Sequence, residues 1–240
     1  MAKQGGILGL RGTVGGLVFR SDGSVSQKPA SRPATSKRTL ENNAEFGTAA
    51  SAGKLIRGAF RALTNAVKSS DLVGRLSQTM SRIVKLDGVG DRGLRQVLKD
   101  NIGALVGFDF SATSLSQAFF APFTAEVVGA DYTVTIPSLT PVQDLNAPQG
   151  ATHFQVLVGA AAVDFAAGVT QVAAGMPLAP QPIDAVTQAN VAVTLSFANA
   201  PAVSDAIIGV VGVAYFQEVN GALYPLNDAS TNALGVVLAE

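Results

Sequence analysis

Hydrophobic and polar positions follow three different rhythms along this chain. Between residues 5 and 28, short apolar runs (Ile7-Leu8-Gly9-Leu10 and Leu17-Val18-Phe19) are separated by Gly12 and by Gly15-Gly16. Ser21-Asp22-Gly23-Ser24 then supplies a turn with Asp-Gly at its centre, ahead of Val25-Ser26-Gln27. This pattern predicts a Gly-rich β-hairpin or three-strand meander. Glycine at positions 5, 6, 9, 12, 15 and 16 lets backbones approach closely but weakens the segment as an independent structure, so such an arm needs a sheet to join. Residues 28–38 contain Pro29 and Pro33 and no apolar side chain larger than alanine, which predicts an extended basic linker.

From about residue 39 to 101 the rhythm is helical. Ile56, Phe60, Leu63 and Val67 recur at spacings of four, three and four, with Lys54, Arg57, Arg61 and Lys68 on the opposite side. Thr35 or Ser36 stands where it can cap this helix. A second helix is expected to start at Ser69 or Ser70, with Asp71 near its positive end. Its inward face is Leu72, Leu76, Met80 and Ile83, and Arg75, Arg82 and Lys85 point away. A third, short helix is expected from Asp91 to about Asn101, with Leu94, Val97 and Leu98 inward. Beyond about residue 104 the period becomes two. Strands are expected at 133–135, 153–158, 191–197 and 207–216, a hairpin at Asn220-Gly221, and a terminal strand at 235–238. The expected fold is α+β: a Gly-rich β-arm and basic linker (1–38), a helical segment (39–103) and a C-terminal antiparallel β-sandwich (104–240).

Charge sharpens this division. All seventeen Lys and Arg residues lie at or before Lys99. Residues 1–100 carry them with seven acids, for a net +10, and residues 101–240 carry ten acids and no Lys or Arg, for a net −10. Acids at 144, 164, 184 and 205 fit one per inter-strand turn. A total of zero therefore conceals a dipolar molecule able to meet copies of itself basic end to acidic end. Only 14% of residues are charged, against about 25% in typical globular domains. Hydrophobic residues make up 48%, and the mean hydropathy is +0.32. Low charge with no net repulsion favours a chain that buries surface in an assembly.

Candidate chemistry is sparse. There is no cysteine, which excludes disulfides, thiolate metal sites and cysteine nucleophiles. Gly88-Val89-Gly90-Asp91-Arg92-Gly93 matches G-x-G-x-x-G, but a helical pattern precedes it where a dinucleotide fold needs a strand, so it reads as an interhelical turn. Asp87 and Asp91 lack the further oxygen ligands of a calcium loop. His153, the only histidine, sits in a strand pattern with no nucleophile motif. No catalytic residue, cofactor or metal is expected, and the chain does not read as an enzyme. The longest acid-free stretches, such as 185–204, include Thr187, Gln188, Asn190, Ser196, Asn199 and Pro201, so no membrane insertion is expected.

Gly9-Leu10-Arg11-Gly12-Thr13-Val14-Gly15-Gly16, Ser26-Gln27-Lys28-Pro29, Arg38-Thr39-Leu40-Glu41-Asn42-Asn43 and Phe46-Gly47 resemble the N-terminal part of small bacterial proteins, some of them phage-linked. Those proteins share a Gly-rich opening and a basic Pro/Ser stretch. The resemblance covers about a quarter of the chain, carries no functional residues across, and implies a virion or cell-surface structural role. The reading that follows is a self-assembling structural subunit of a filament, tube or virion whose main partner is copies of itself. Its expected interface residues are Ile7, Leu8, Leu10, Leu17, Val18 and Phe19 of the arm and Lys54, Arg57, Arg61 and Lys68 of the helical face. The alternative is a nucleic-acid-binding virion or packaging protein that sets the basic half on phosphate, although that half lacks Tyr and Trp for base stacking. The same basic face also reads as a solvated helix surface. The expected location is an extracellular filament or virion; Lys3, Arg11 and the early glycines do not read as a secretory signal, which leaves the export route open.

Overall fold

A computed structural model describes residues 3–5, 9–28, 36–67, 69–226 and 231–240. The chain divides into two compact units, Met1–Leu40 and Glu41–Glu240.

Among its described residues the first unit holds four short strands, β1 (Lys3–Gly5), β2 (Gly9–Val14), β3 (Leu17–Phe19) and β4 (Val25–Gln27), paired in that order into one sheet. This is one strand more than the expected meander. Gly15, with φ at +57°, turns the chain between Val14 and Leu17. At the next turn Gly23 takes φ +81°, and the Asp22 carboxylate accepts the N–H and hydroxyl of Ser24. The first helix, α1 (Lys37–Ala59), begins in this unit directly after Ser36 and continues into the second.

In the second unit, α1 is followed by α2 (Arg61–Val67) and α3 (Leu72–Lys85). The inward faces agree with the periodicity. Ile56, Phe60, Val67, Leu72, Leu76, Met80 and Ile83 are buried, and Leu63 packs against them. Asp71, and not Ser69 or Ser70, occupies the N-cap of α3, without a side-chain capping bond. The third expected helix is absent. Residues 91–98 form turns and extended chain, followed by a 3₁₀ helix at Lys99–Leu105. Gly93 at φ +90° and the pull of the Asp87 carboxylate on the Gln96 N–H bend the chain where a helix would need continuous ladder bonds.

Nine strands follow among the described residues, all paired antiparallel. A three-stranded sheet has the order β10 (Gln188–Ser196), β6 (Asp131–Leu139), β5 (Thr124–Val128). A six-stranded sheet, curled into a half-barrel, runs β12 (Ala222–Pro225), β11 (Ala206–Val219), β7 (His153–Asp164), β8 (Val169–Val172). In addition β13 (Ala233–Ala239) pairs β11, and β9 (Gln181–Pro182) pairs β7. Two short helical turns, α4 (Leu115–Ala118) and α5 (Pro141–Asp144), flank these strands. The hairpin at Asn220-Gly221 is a two-residue turn with φ +53° and +79°, as an Asn-Gly pair favours.

The α+β class with antiparallel sheets is therefore as expected, but the boundary expected at residue 103 is not a boundary between cores. Along β11, Ala206, Ile208, Val210 and Ala214 join a cluster with Ile56, Leu76, Met80 and Ile83 of the helices. The alternating Ile207, Val211, Val213 and Tyr215 join a second cluster with Tyr132, Val134, Val193 and Leu195 of the three-stranded sheet. The six-stranded sheet is thus the middle of three layers. Two glycines make room for this packing: a Cβ on Gly209 would lie 2.5 Å from the Tyr132 ring, and one on Gly159 would lie 2.5 Å from the Leu63 side chain.

Candidate assembly surfaces

The arm presents one apolar face. The register aligns Val14 with Leu17 and Gln27, and Gly12 with Phe19 and Val25. Because side chains alternate across a strand, Val14, Leu17, Phe19 and Val25 share a face, and Thr13, Val18 and Ser26 share the other. Val14, Leu17 and Val25 keep 54%, 46% and 52% of their surface exposed. Of the arm residues expected to act together, Leu17 and Phe19 do lie on one face and Val18 lies on the opposite one. Leu10 stands in β2 opposite Gln4. Ile7 and Leu8 lie outside the described residues. Val14 and Val25 belong to the apolar face although the sequence reading did not name them. The signal for them was the two-residue Gly15-Gly16 turn, which fixes the register.

On the helical side, Lys54 and Arg61 are exposed, and Arg57 is half-buried with its Nε donating to the Gly53 carbonyl at 3.2 Å. None of these three has an ion pair among the described residues, and Lys68 lies outside those residues. Other cations are tied internally. Arg92 pairs with Glu41 at 3.5 Å and Arg95 with Glu45 at 3.8 Å, which pins α1 to the 91–95 turn. Arg75, expected to point outward, instead folds over residues 108–111. Its guanidinium donates to the carbonyls of Asp109 (2.6 Å) and Ser111 (2.8 Å) and lies 5.6 Å from the centre of the Phe108 ring.

The four acids expected there, Asp144, Asp164, Asp184 and Asp205, do sit in or beside turns, where their carboxylates accept local amides, whereas Glu126, Asp131 and Glu218 lie in strands. Asp164 takes the N–H groups of Ala166 and Ala167, Asp184 that of Val186, Asp205 that of Ala202, and Asp144 that of Thr140. The glycine-rich turn at 88–93 is closed in the same way. The Asp87 carboxylate accepts from Val89, Gly90 and Gln96, and Glu45 accepts from Gly93. Three of the amides that would cradle a phosphate are thus bound by the protein's own carboxylates. The amides of Gly90, Gln96 and Val89 hold the Asp87 carboxyl below the usual carboxylate range. Among the described residues no group of three or more His, Cys, Asp or Glu converges as metal ligands would. His153 lies beside Thr152 (3.0 Å) and 3.8 Å from Glu218, and no second carboxylate pairs with it among the described residues. No described helix is long and apolar enough to cross a membrane.

A third surface was not legible in the sequence. β7 pairs with β9 at residues 153–154 and with β8 at residues 161–164, and along that edge residues 155–159 have no strand partner among those described. Among the described residues β10 pairs with β6 alone, apart from one bridge between Ala174 and Ser196. A cavity of about 250 Å³ lies between these edges, lined by Val156, Val158, Val193, Leu195 and Leu178 and roofed by Phe60 and Leu63. Its lining is apolar except for Gln155, whose amide donates to the Leu178 carbonyl at 2.7 Å. No protein-family model, no curated protein and no solved structure matches this chain.

Proposed function

We propose that this protein is a self-assembling structural subunit, of the filament, tube or virion kind, in which the N-terminal arm of one copy docks on the sheets of the next. The observation that carries this reading is the arm's apolar face. Three strands align Val14, Leu17, Phe19 and Val25 on one side, yet three of these residues keep about half their surface in water. A small sheet gains its stability by burying such a face, and a partner's surface supplies the means. Lys54, Arg57 and Arg61, which have no ion pair among the described residues, together with the carboxylates at the strand turns, support basic-to-acidic contacts between copies. In this reading the two C-terminal sheets act together as a sandwich-like body that receives the arm, and the assembly forms part of an extracellular filament or virion.

The test is removal of residues 1–28. The second unit has both hydrophobic clusters to itself, so the shortened chain is expected to keep its circular-dichroism spectrum and cooperative melting but to remain monomeric by sedimentation. Polymers that persist without the arm, seen by negative-stain microscopy, would reject the reading.

A further inference from the structure

The seam between β7 and β10 identifies where such an arm would bind, an inference that rests on the assembly reading above. In the antiparallel ladder, Phe197 donates to Ala130 on the β6 side, and Ser196 exchanges both hydrogen bonds with Ala174 on the other side. Alternation then turns the N–H and C=O of Ala192 and Thr194 away from β6, toward an edge with no strand partner among the described residues. On the facing edge Ala160 accepts from Ala173, so Val156 and Val158 direct their backbone groups the same way, again with no strand partner among the described residues. Two strand edges therefore border one apolar cavity.

The chain itself spans this seam with residues 175–180, a poor filler. Pro177 and Pro180 have no N–H to give, and Met176 is 88% exposed. Gly175 passes so close to β10 that a Cβ there would lie 2.7 Å from the Thr194 carbonyl oxygen. An unpaired edge bordering an apolar pocket is what strand addition requires: main-chain bonds supply affinity, and pockets for alternate side chains supply specificity.

We propose that the free edge of β10 accepts the edge strand β4 of a second copy's arm, and that the apolar face carrying Leu17, Phe19 and Val25 covers the cavity as the 175–180 segment lifts away. The second copy is favoured as occupant for two reasons. Its arm carries a matching amphipathic face on which Val14, Leu17 and Val25 keep about half their surface exposed. The two strands that border the cavity, β7 and β10, also carry no Lys or Arg to oppose the arm's Arg11, Arg20 and Lys28.

Hydrogen exchange of the full-length chain, dilute and concentrated, tests this. In the dilute monomer the amides of Ala192 and Thr194 should exchange freely; in the assembly they should slow by about tenfold or more, as for amides newly placed in a ladder. Leu17→Glu, at an exposed arm position, should abolish both the slowing and the assembly while the second unit melts unchanged. Ala192→Pro, which removes one outward N–H from the edge, should do the same with the arm intact. Protection that falls on β5 or β12 instead, or that is already complete in the dilute monomer, would overturn the seam assignment while leaving assembly standing. A wild-type chain that stays monomeric at every concentration would overturn the assembly reading and the seam with it.

Discussion

Asp87 shows how one side chain decides a local path. Its carboxylate gathers three backbone amides from the turn after α3, and those bonds lower its pKa. The stability it adds is complete above about pH 4, the ordinary range for aspartate, and is lost as pH falls through its own lower value. Asp87→Ala should therefore lower the melting temperature at pH 7 and flatten the decline between pH 5 and pH 2, read by thermal melts across that range. A flat wild-type profile would show that the turn is held by other contacts. Asp109 runs the other way. Partial burial raises its pKa, against the Leu115 N–H that it accepts and the nearby Arg75. At this scale the sequence was legible wherever a residue acts on near neighbours. Asp22-Gly23, Asn220-Gly221 and the turn acids all do what their local chemistry dictates. Arg75 was not legible, because its carbonyl partners are more than thirty residues away.

Among the elements, β11 was the most readable strand and the least understood. The run from Ala206 to Tyr215 is buried throughout, so its hydrophobicity does not alternate, and nothing in it states that two different layers are being served. The glycines within the run do state it, once the neighbours are known. Gly209→Ala should force the Tyr132 ring aside and cost about 1–3 kcal/mol of unfolding free energy, measured by chemical denaturation. A neutral result would mean that the two sheets part more easily than their shared core implies. The helical stripe from Ile56 to Val67 was legible because three faces of a helix can be told apart by spacing alone. The failed helix at 91–101 was not, because its apolar residues carry a helical spacing while Gly93 and the distant carboxylates of Glu45 and Asp87 dictate turns. The seam was the least legible feature of all, since an edge is defined by the strand that does not pair with it.

For the molecule as a whole, the opposed charges of the two halves remain the clearest message of the sequence, and the structure changes their meaning. Basic helices and acidic strands are not separate bodies. They share a core across the six-stranded sheet, so their charges are carried at a fixed spacing within the second unit. Contacts between copies that rely on exposed charge should weaken as salt screens them beyond about 8–10 Å at physiological ionic strength. Sedimentation across a salt series should then show a smaller assembled fraction at 0.5 M than at 0.05 M NaCl; an unchanged fraction would assign the contact to apolar burial alone. The shared core also bears on how the chain is made. Synthesis proceeds from the N-terminus, so α1, α2 and α3 leave the ribosome well before β11 and β13, which supply much of the surface that buries Ile56, Met80 and Ile83. A newly made chain must therefore hold an uncovered apolar helical face in water until its last strands arrive. Closure of that core must then wait for β11 and β13.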